Sequence, residues 1–552
     1  MNKLLKLEGT GTFLLLCAIG CMLLFQASGQ DAEGRPEIVT ISSPSPMVGI
    51  SIMVKSGSID DPAGHEGLAH LTAETLLEGS FGDPDNLTTK EELALITRPW
   101  GSGASPSARV AKEVTTFYMS VPEDVLDQYL NTVLQPLFTQ PFFQAEELER
   151  LRNETLEEIS ALRYENIESL GLEAIDHYVF DGVSYAHLSE GSVQGLKQIT
   201  RQDLLTFYAE HYRSDNLIIG LSKEDPKLRR KITSALADVG SSGADEIGNE
   251  QSRPRQEAAP PPEITGRHLV IVSVPNLEST GIHAAFPIPI TRTDPDYWPL
   301  YIANVFLGTH RDSFGVLYQE IRHTRGYNYG NYSYIEHFAG RPFLLFPPFN
   351  TPRRYQYFSI WLRPVADQYT HHLIKALTYE LENFIRTGMS AEQVVDAKNK
   401  AKVLYLNLAE TVPRLLNARL DDAYYGMAGD GYLDRYLDKI DAVTSEQVNE
   451  ALRKYLQVQD IKYLVVTSRG HAGRLAQEIA QGGLATGKTR EEYRIQLEET
   501  EGGTIYRLSE DQLDMLLRDA VWSAYPLDIP EDNIRVAPVE QLFETGEFMA
   551  SK

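Results

Sequence analysis

Three landmarks in this chain occur twice at nearly one separation. AEELERLRNETLEEI begins at Ala145, and AEQVVDAKNKAKVLY begins at Ala391, 246 residues later. DHY begins at Asp176 and DAY at Asp422, again 246 residues later. ITRQDLLTFYAEHYRSDNLIIGL carries its Thr at 200, and VTSEQVNEALRKYLQVQDIKYLVV carries its Thr at 444, 244 residues later. A common offset across three landmarks marks an internal duplication, which commits both copies to one supersecondary plan. In the last pair, Thr200 and Thr444 stand where an N-cap stands, before a polar helical run. An Asp turn then leads into the apolar β-type runs LIIGL and YLVV. Each copy also opens on strand-like sequence, IVTISS and VGISIMVKSG in the first, HLVIVSV and GIHAAFPI in the second. Strands first and last with helices between predict an α+β fold. Its two homologous halves, 37–243 and 266–482, are each a mostly antiparallel sheet covered by helices.

The linker between them, 244–265, is drawn from the stretch 240–264, GSSGADEIGNEQSRPRQEAAPPPEI, and the residue after it, where Gly, Ser, Pro and charge replace periodicity. Residues 483–552 have no counterpart in the first half. They are read as a C-terminal extension packing on the second half, with a helix in SEDQLDMLLRDAVW capped by Ser509. A chain of 552 residues is long enough for this plan.

At the N-terminus, Lys3 and Lys6 precede the 13-residue apolar run FLLLCAIGCMLLF, and Ala27-Ser28-Gly29 follows. That order reads as a signal peptide over 1–29, and the run is short of the about 20 residues a span needs. The chain is therefore expected to be exported, periplasmic or extracellular, with an uncleaved membrane anchor as the alternative. Both cysteines, Cys17 and Cys21, fall in this segment, so the mature chain has neither disulfide nor thiolate chemistry. The net charge of −26 argues against binding nucleic acid or anionic lipid.

The chemistry centres on HEGLAHLTAE, residues 65–74. A zincin helix, H-E-x-x-H, fails at Ala69. The inverted motif H-x-x-E-H, started at His70, fails at Ala73 and Glu74. Residues i and i+4 share a helix face, so in an intact inverted motif both histidines reach one zinc and the Glu activates its water. Here His70 and Glu74 share that face, and Ala73 at the base position cannot accept a proton.

GSIDDPAGHEGLAHLTAETLLEGS closely resembles the start of the pitrilysin/insulinase-type metallopeptidases, the inverzincins, which include the mitochondrial processing peptidases. Their pattern G-L-A-H-x-x-E-H-x-x-x-x-G-T is met at Gly67, Leu68, Ala69, His70 and Gly79, with Ser80 for Thr. The resemblance covers roughly residues 37–480. It implies the family's third zinc ligand at Glu158, in ELERLRNETLEEI, with Leu151 where an acid belongs. It also implies that Arg322 and Tyr329, in LYQEIRHTRGYNYGNYS, are the pair that holds substrate backbone and supports a polarised carbonyl oxygen. Arg offers a fixed fork of charged donors and Tyr an O–H, both suited to an oxyanion.

Some relatives work as two chains, one with the intact zinc helix and one with a decayed helix and the Arg/Tyr pair kept. This sequence has the second pattern. The expectation is a non-catalytic, substrate-binding subunit of a heterodimer, whose homologous partner supplies H-x-x-E-H and zinc and whose substrates are peptides. Two readings stand beside it: an active peptidase with a variant His70/Glu74/Glu158 metal site, and a non-enzymatic peptide-binding scaffold. Each residue also has a plainer reading. Glu74 is able simply to hydrogen-bond His70, Glu158 to be one acid of a solvated face, and Tyr329 to be strand packing. His187, in SYAHLSEGS, is expected to support the fold.

Overall fold

The structure is a computed structural model, and it describes residues 35–165, 167–240, 258–338, 352–427, 429–489, 492 and 510–549. The signal peptide expected over 1–29, the linker up to 257 and the cap Ser509 lie outside these. The last part of the linker, 258–265, is irregular chain. Among the described residues no helix is long and apolar enough to cross a membrane.

The first half contributes β1 (Glu37–Thr40), β2 (Met47–Val54), a small hairpin of β3 (Phe81–Asp83) and β4 (Asn86–Thr88), β5 (Ser107–Val110), β6 (Thr115–Pro122) and β7 (Leu217–Leu221). The second contributes β8 (His268–Val274), β9 (Thr280–Ile288), β10 (Asn328–Tyr334), β11 (Gln356–Val365) and β12 (Lys462–Ser468), and the C-terminal extension adds β13 (Ile534–Pro538). The first sheet runs β1-β7-β2-β6-β5, and the second, from its other end, runs β13-β8-β12-β9-β11-β10. Apart from β13 the two orders are one order. The directions agree as well: β1 with β7 and β8 with β12 are parallel, and the other pairs within each repeat are antiparallel. The duplication thus holds strand by strand, as does the mostly antiparallel character.

The repeated helices fall where the landmarks put them. Ala145–Tyr164 answers Ala391–Leu408, Ile167–Val179 answers Val412–Tyr424, and Arg201–His211 answers Ser445–Tyr455. The last pair begins on reciprocal caps, Thr200 with Asp203 and Thr444 with Gln447.

The halves pack by exchanging a helix. Ile167–Val179 of the first half lies on β9 and β12 of the second, and Val412–Tyr424 lies on β1, β2 and β7 of the first. This explains why MVGISIMV and TGIHAAFPI are buried along almost their whole length instead of on alternate residues. Close approach is made by small residues: a Cβ on Gly49 would lie 3.1 Å from Leu416, and one on Gly220 3.4 Å from it. The core of the first half is consequently continuous with one face of the second sheet, through Val270, Val272, Leu464 and Val466.

The C-terminal extension packs on the second half and also reaches the first. Helix Glu510–Ala524 does pack on Thr370–Thr387, and β13 pairs with β8. Residues 542–549, however, dock on the first half, where Phe543, Phe548 and Met549 are buried in its core. The segment has large apolar side chains and no periodicity, so the sequence alone did not say which half they would enter.

Candidate functional site

Helix Leu68–Glu78 carries the decayed motif. It starts at Gly67, whose φ of 108° is in the left-handed region and which has no side chain to cap with. The cap comes from outside the helix: Asp61 accepts from the N–H of Gly67 and of Ala69, both at 2.7 Å. His187 Nε2 stands 3.3 Å from Asp61, and the backbone carbonyl of His187 accepts from Lys112. His187 thus braces the motif helix, in keeping with a fold-supporting residue. Glu66, the E of the incidental HE, accepts from Gly64 N–H at 2.7 Å and Ser192 O–H at 2.8 Å.

On the motif face, His70 Nε2 lies 3.2 Å from Thr155 Oγ1, and Thr155 donates its own proton to the Leu151 carbonyl at 2.9 Å. With that proton committed, Thr155 is left as acceptor and His70 Nε2 as donor, so this nitrogen presents no lone pair. Glu74 follows one turn later. Burial pushes its carboxyl up, His70 pulls it down, and Glu78 and Glu158 push it up further. Glu158 is thus near enough for its charge to be felt at Glu74, but it is itself exposed. Ala73 is fully buried, and Leu151 is 5% exposed in the same core. Where the family pattern has two acids, this chain has two core side chains.

These residues do not fit zinc. Among the described residues no three of His, Cys, Asp or Glu gather closely enough to hold a metal ion. On the motif face one imidazole nitrogen is engaged and the carboxylates lack a second imidazole.

The raised carboxyl of Glu74 makes a measurable signature. Its folded value lies above the ordinary 4.5, so its burial weighs against folding as pH rises through 4.5 and beyond. Glu74→Gln should leave the melting temperature unchanged at pH 4 and raise it at pH 7. Parallel melting curves for the two proteins across that range would show that Glu74 is solvated.

Arg322 and Tyr329 lie in the second half, at the edge of its sheet. Arg322 is the penultimate residue of the wide helical turn Tyr318–His323, and Tyr329 is the second residue of edge strand β10. Arg322 Nη1 donates to the Tyr329 carbonyl at 2.9 Å. Its guanidinium lies 3.9 Å from the centre of the Tyr329 ring and 5.1 Å from that of Tyr318. The two residues are thus one stacked unit, and Tyr329 is 57% exposed, which is unusual for a strand aromatic with only a packing role. On the same strand Tyr332 and Tyr334 are buried and supply its packing.

A second charged constellation lies between the halves. Arg353 donates to both oxygens of Asp176 at 2.9 and 2.7 Å, and both residues are fully buried. Glu113 of the first half accepts from Arg354 N–H at 2.6 Å and from the Tyr424 hydroxyl of the second. The only hint in the sequence was that Asp176 and Asp422 belong to a repeated landmark.

Comparison with known proteins agrees with the fold. Residues 37–182 match the description "Insulinase (Peptidase family M16)" and residues 198–401 match "Peptidase M16 inactive domain". An uncharacterized zinc protease of Streptomyces coelicolor is 25% identical over 313 residues, 55% of this chain and 64% of the relative. The mitochondrial-processing peptidase subunit beta of Dictyostelium discoideum is 23% identical over 262 residues, 47% of this chain and 52% of the relative. The chain thus spans between about half and two-thirds of these relatives. A crystal structure of a peptidase M16 inactive domain from Pseudomonas fluorescens aligns with a TM-score of 0.65 at 21% identity, covering 79% of this chain and 96% of that one. A Helicobacter pylori protease aligns with a TM-score of 0.66 at 13% identity, covering 79% and 97%.

Proposed function

Because the chain belongs to the M16 (insulinase) peptidase family, we propose that it is a substrate-binding, non-catalytic subunit of a two-chain zinc peptidase. The observation that carries this is a contrast within one chain. The base position of the motif helix is Ala73, sealed in the core, while Arg322 and Tyr329 remain stacked and at the surface. Drift alone has no reason to spare an exposed cation–aromatic pair while erasing the acids.

In this reading the partner is a homologue with H-x-x-E-H, and zinc held there supplies the Lewis acid and the activated water. This chain supplies positioning. Arg322 is held by its bond to the Tyr329 carbonyl and by its two ring contacts, so little side-chain entropy remains to be lost when its other N–H groups meet a peptide carbonyl. A fixed cation beside a phenol stabilises oxygen that gains negative charge.

The test is to assay peptide cleavage by the purified chain, by an intact-motif homologue, and by the two together. Cleavage is expected from the mixture and not from this chain alone. Within the mixture, Arg322→Ala should lower turnover on the order of 10²–10³-fold, as loss of an oxyanion donor does, with the melting temperature nearly unchanged. Zinc-dependent cleavage by the lone chain would sink the proposal. Peptide binding without cleavage in any mixture would point to the scaffold reading instead.

A further inference from the structure

We propose that residues 525–549 are a strap that locks the two halves in one fixed orientation. Its first anchor is in the second half. Leu527 and Ile529 are buried in that core, β13 adds a parallel strand to β8 from Ile534↔Leu269 to Pro538↔Ser273, and Glu540 pairs with Arg469 at 2.6 Å. Its second anchor is in the first half. Val193 N–H donates to the Phe543 carbonyl at 3.0 Å, Gln194 N–H to the Glu544 carbonyl at 2.9 Å, and Phe548 N–H to Asp181 at 3.2 Å. Arg163 Nε donates to the Leu542 carbonyl at 2.9 Å, and Arg163 reaches Glu544 at 3.3 Å.

The apolar contacts are as definite. The Phe548 ring stacks on Tyr178 at 4.7 Å, and Phe543 meets His177 edge-on at 5.1 Å. Phe543 has a φ of 60°, a conformation that a bulky side chain adopts only where its surroundings impose it. The strap grips three elements: Arg163 at the end of the helix bearing Glu158, the helix Ile167–Val179 that crosses between the halves, and the 191–194 turn. That turn is held in place by Glu66, whose carboxylate accepts from Ser192 O–H at 2.8 Å and whose carbonyl accepts from Ser192 N–H at 3.2 Å, and the strap passes so close that a Cβ on Gly546 would lie 2.4 Å from the same carboxylate. One continuous segment therefore joins the second sheet to the elements around the motif helix, and a hinge motion between halves has to pull it off one anchor.

Spin labels on the full chain test this. The background is Cys17→Ser with Cys21→Ser, and the labelled sites are Glu149→Cys in the first half and Asp438→Cys in the second, both exposed. The unmodified strap should give one narrow inter-label distance distribution. Phe543→Ser with Phe548→Ser should broaden or lengthen it, and should speed proteolytic cleavage between the halves severalfold. Arg163→Ala, which removes only the polar grip, should broaden it less. An unchanged distribution in both variants would overturn the proposal. Should the phenylalanine variant not fold, Arg163→Ala decides: a broader distribution supports the strap, and an unchanged one overturns it.

Discussion

Replacing Arg353 by methionine should cost on the order of 3–5 kcal/mol of stability, because it strands a buried carboxylate. Both members of the Arg353–Asp176 pair are fully buried, and the guanidinium satisfies both carboxylate oxygens. Burial alone would push the Asp176 carboxyl up. Arg353 first, then His337 and Lys112, overturn that and hold it well below the usual carboxylate range. A depressed folded value means that the stabilisation is complete above the ordinary 3.8 and fades only as pH falls through the lower folded value. The pair is fully ionised across pH 5 to 8, but in Arg353→Met burial pushes the stranded carboxyl up, so the loss in urea unfolding should be larger at pH 8 than at pH 5. Adding Asp176→Asn should recover a large part of it, since the second change removes the stranded charge. A loss under about 1 kcal/mol, the worth of an exposed pair, would mean that water reaches this contact.

Gly171→Ala should also destabilise, against the usual direction for a helix. An alanine in a helix interior gains about 1 kcal/mol over glycine. Here, however, the new Cβ would lie 2.0 Å from Nε2 of His283 on β9, where the Ile167–Val179 helix crosses onto the second sheet. His283 is fully buried beside Trp361, and burial pulls its imidazole down to about 3, so the ring is neutral and wedged. Overpacking a tight core costs roughly 1–3 kcal/mol or more, so the clash outweighs the propensity gain. Thermal melts of Gly171→Ala, His283→Ala and the double variant give the coupling. The double variant should be more stable than the sum of the singles predicts. A neutral or stabilising Gly171→Ala would show that the two elements are not in contact.

The sequence made local structure and repetition legible. Thr200 and Thr444 cap helices because a β-region Thr three residues before an Asp or Gln is a signal complete within four residues. The offset of the landmarks carried over to the strand order of both sheets because repetition is itself a long-range constraint. The pairing of Asp176 with Arg353 was not legible, since 177 residues separate them and neither has a local pattern. Neither was the fate of the site. Aligning Glu158 with a ligand position says nothing about its exposure, and Ala73 reads as a lost base until its complete burial shows it to be core. Asp61 caps a helix from seven residues upstream of the helix's first residue, a distance at which no capping rule searches.

The added strand has a consequence for the chain while it is being made. β8, HLVIVSV, is short, β-branched and uncharged apart from its histidine, the composition of a segment that pairs with the wrong strand when its edges are bare. Both of its proper neighbours lie far downstream, at 462–468 and 534–538. A nascent chain therefore carries this strand unpartnered through the synthesis of most of its own half, a period in which chaperones have the most to do. A break in the chain between 525 and 533 would leave one of those edges open for good, so such a product should be recovered as aggregate even with every residue of the M16-like halves intact.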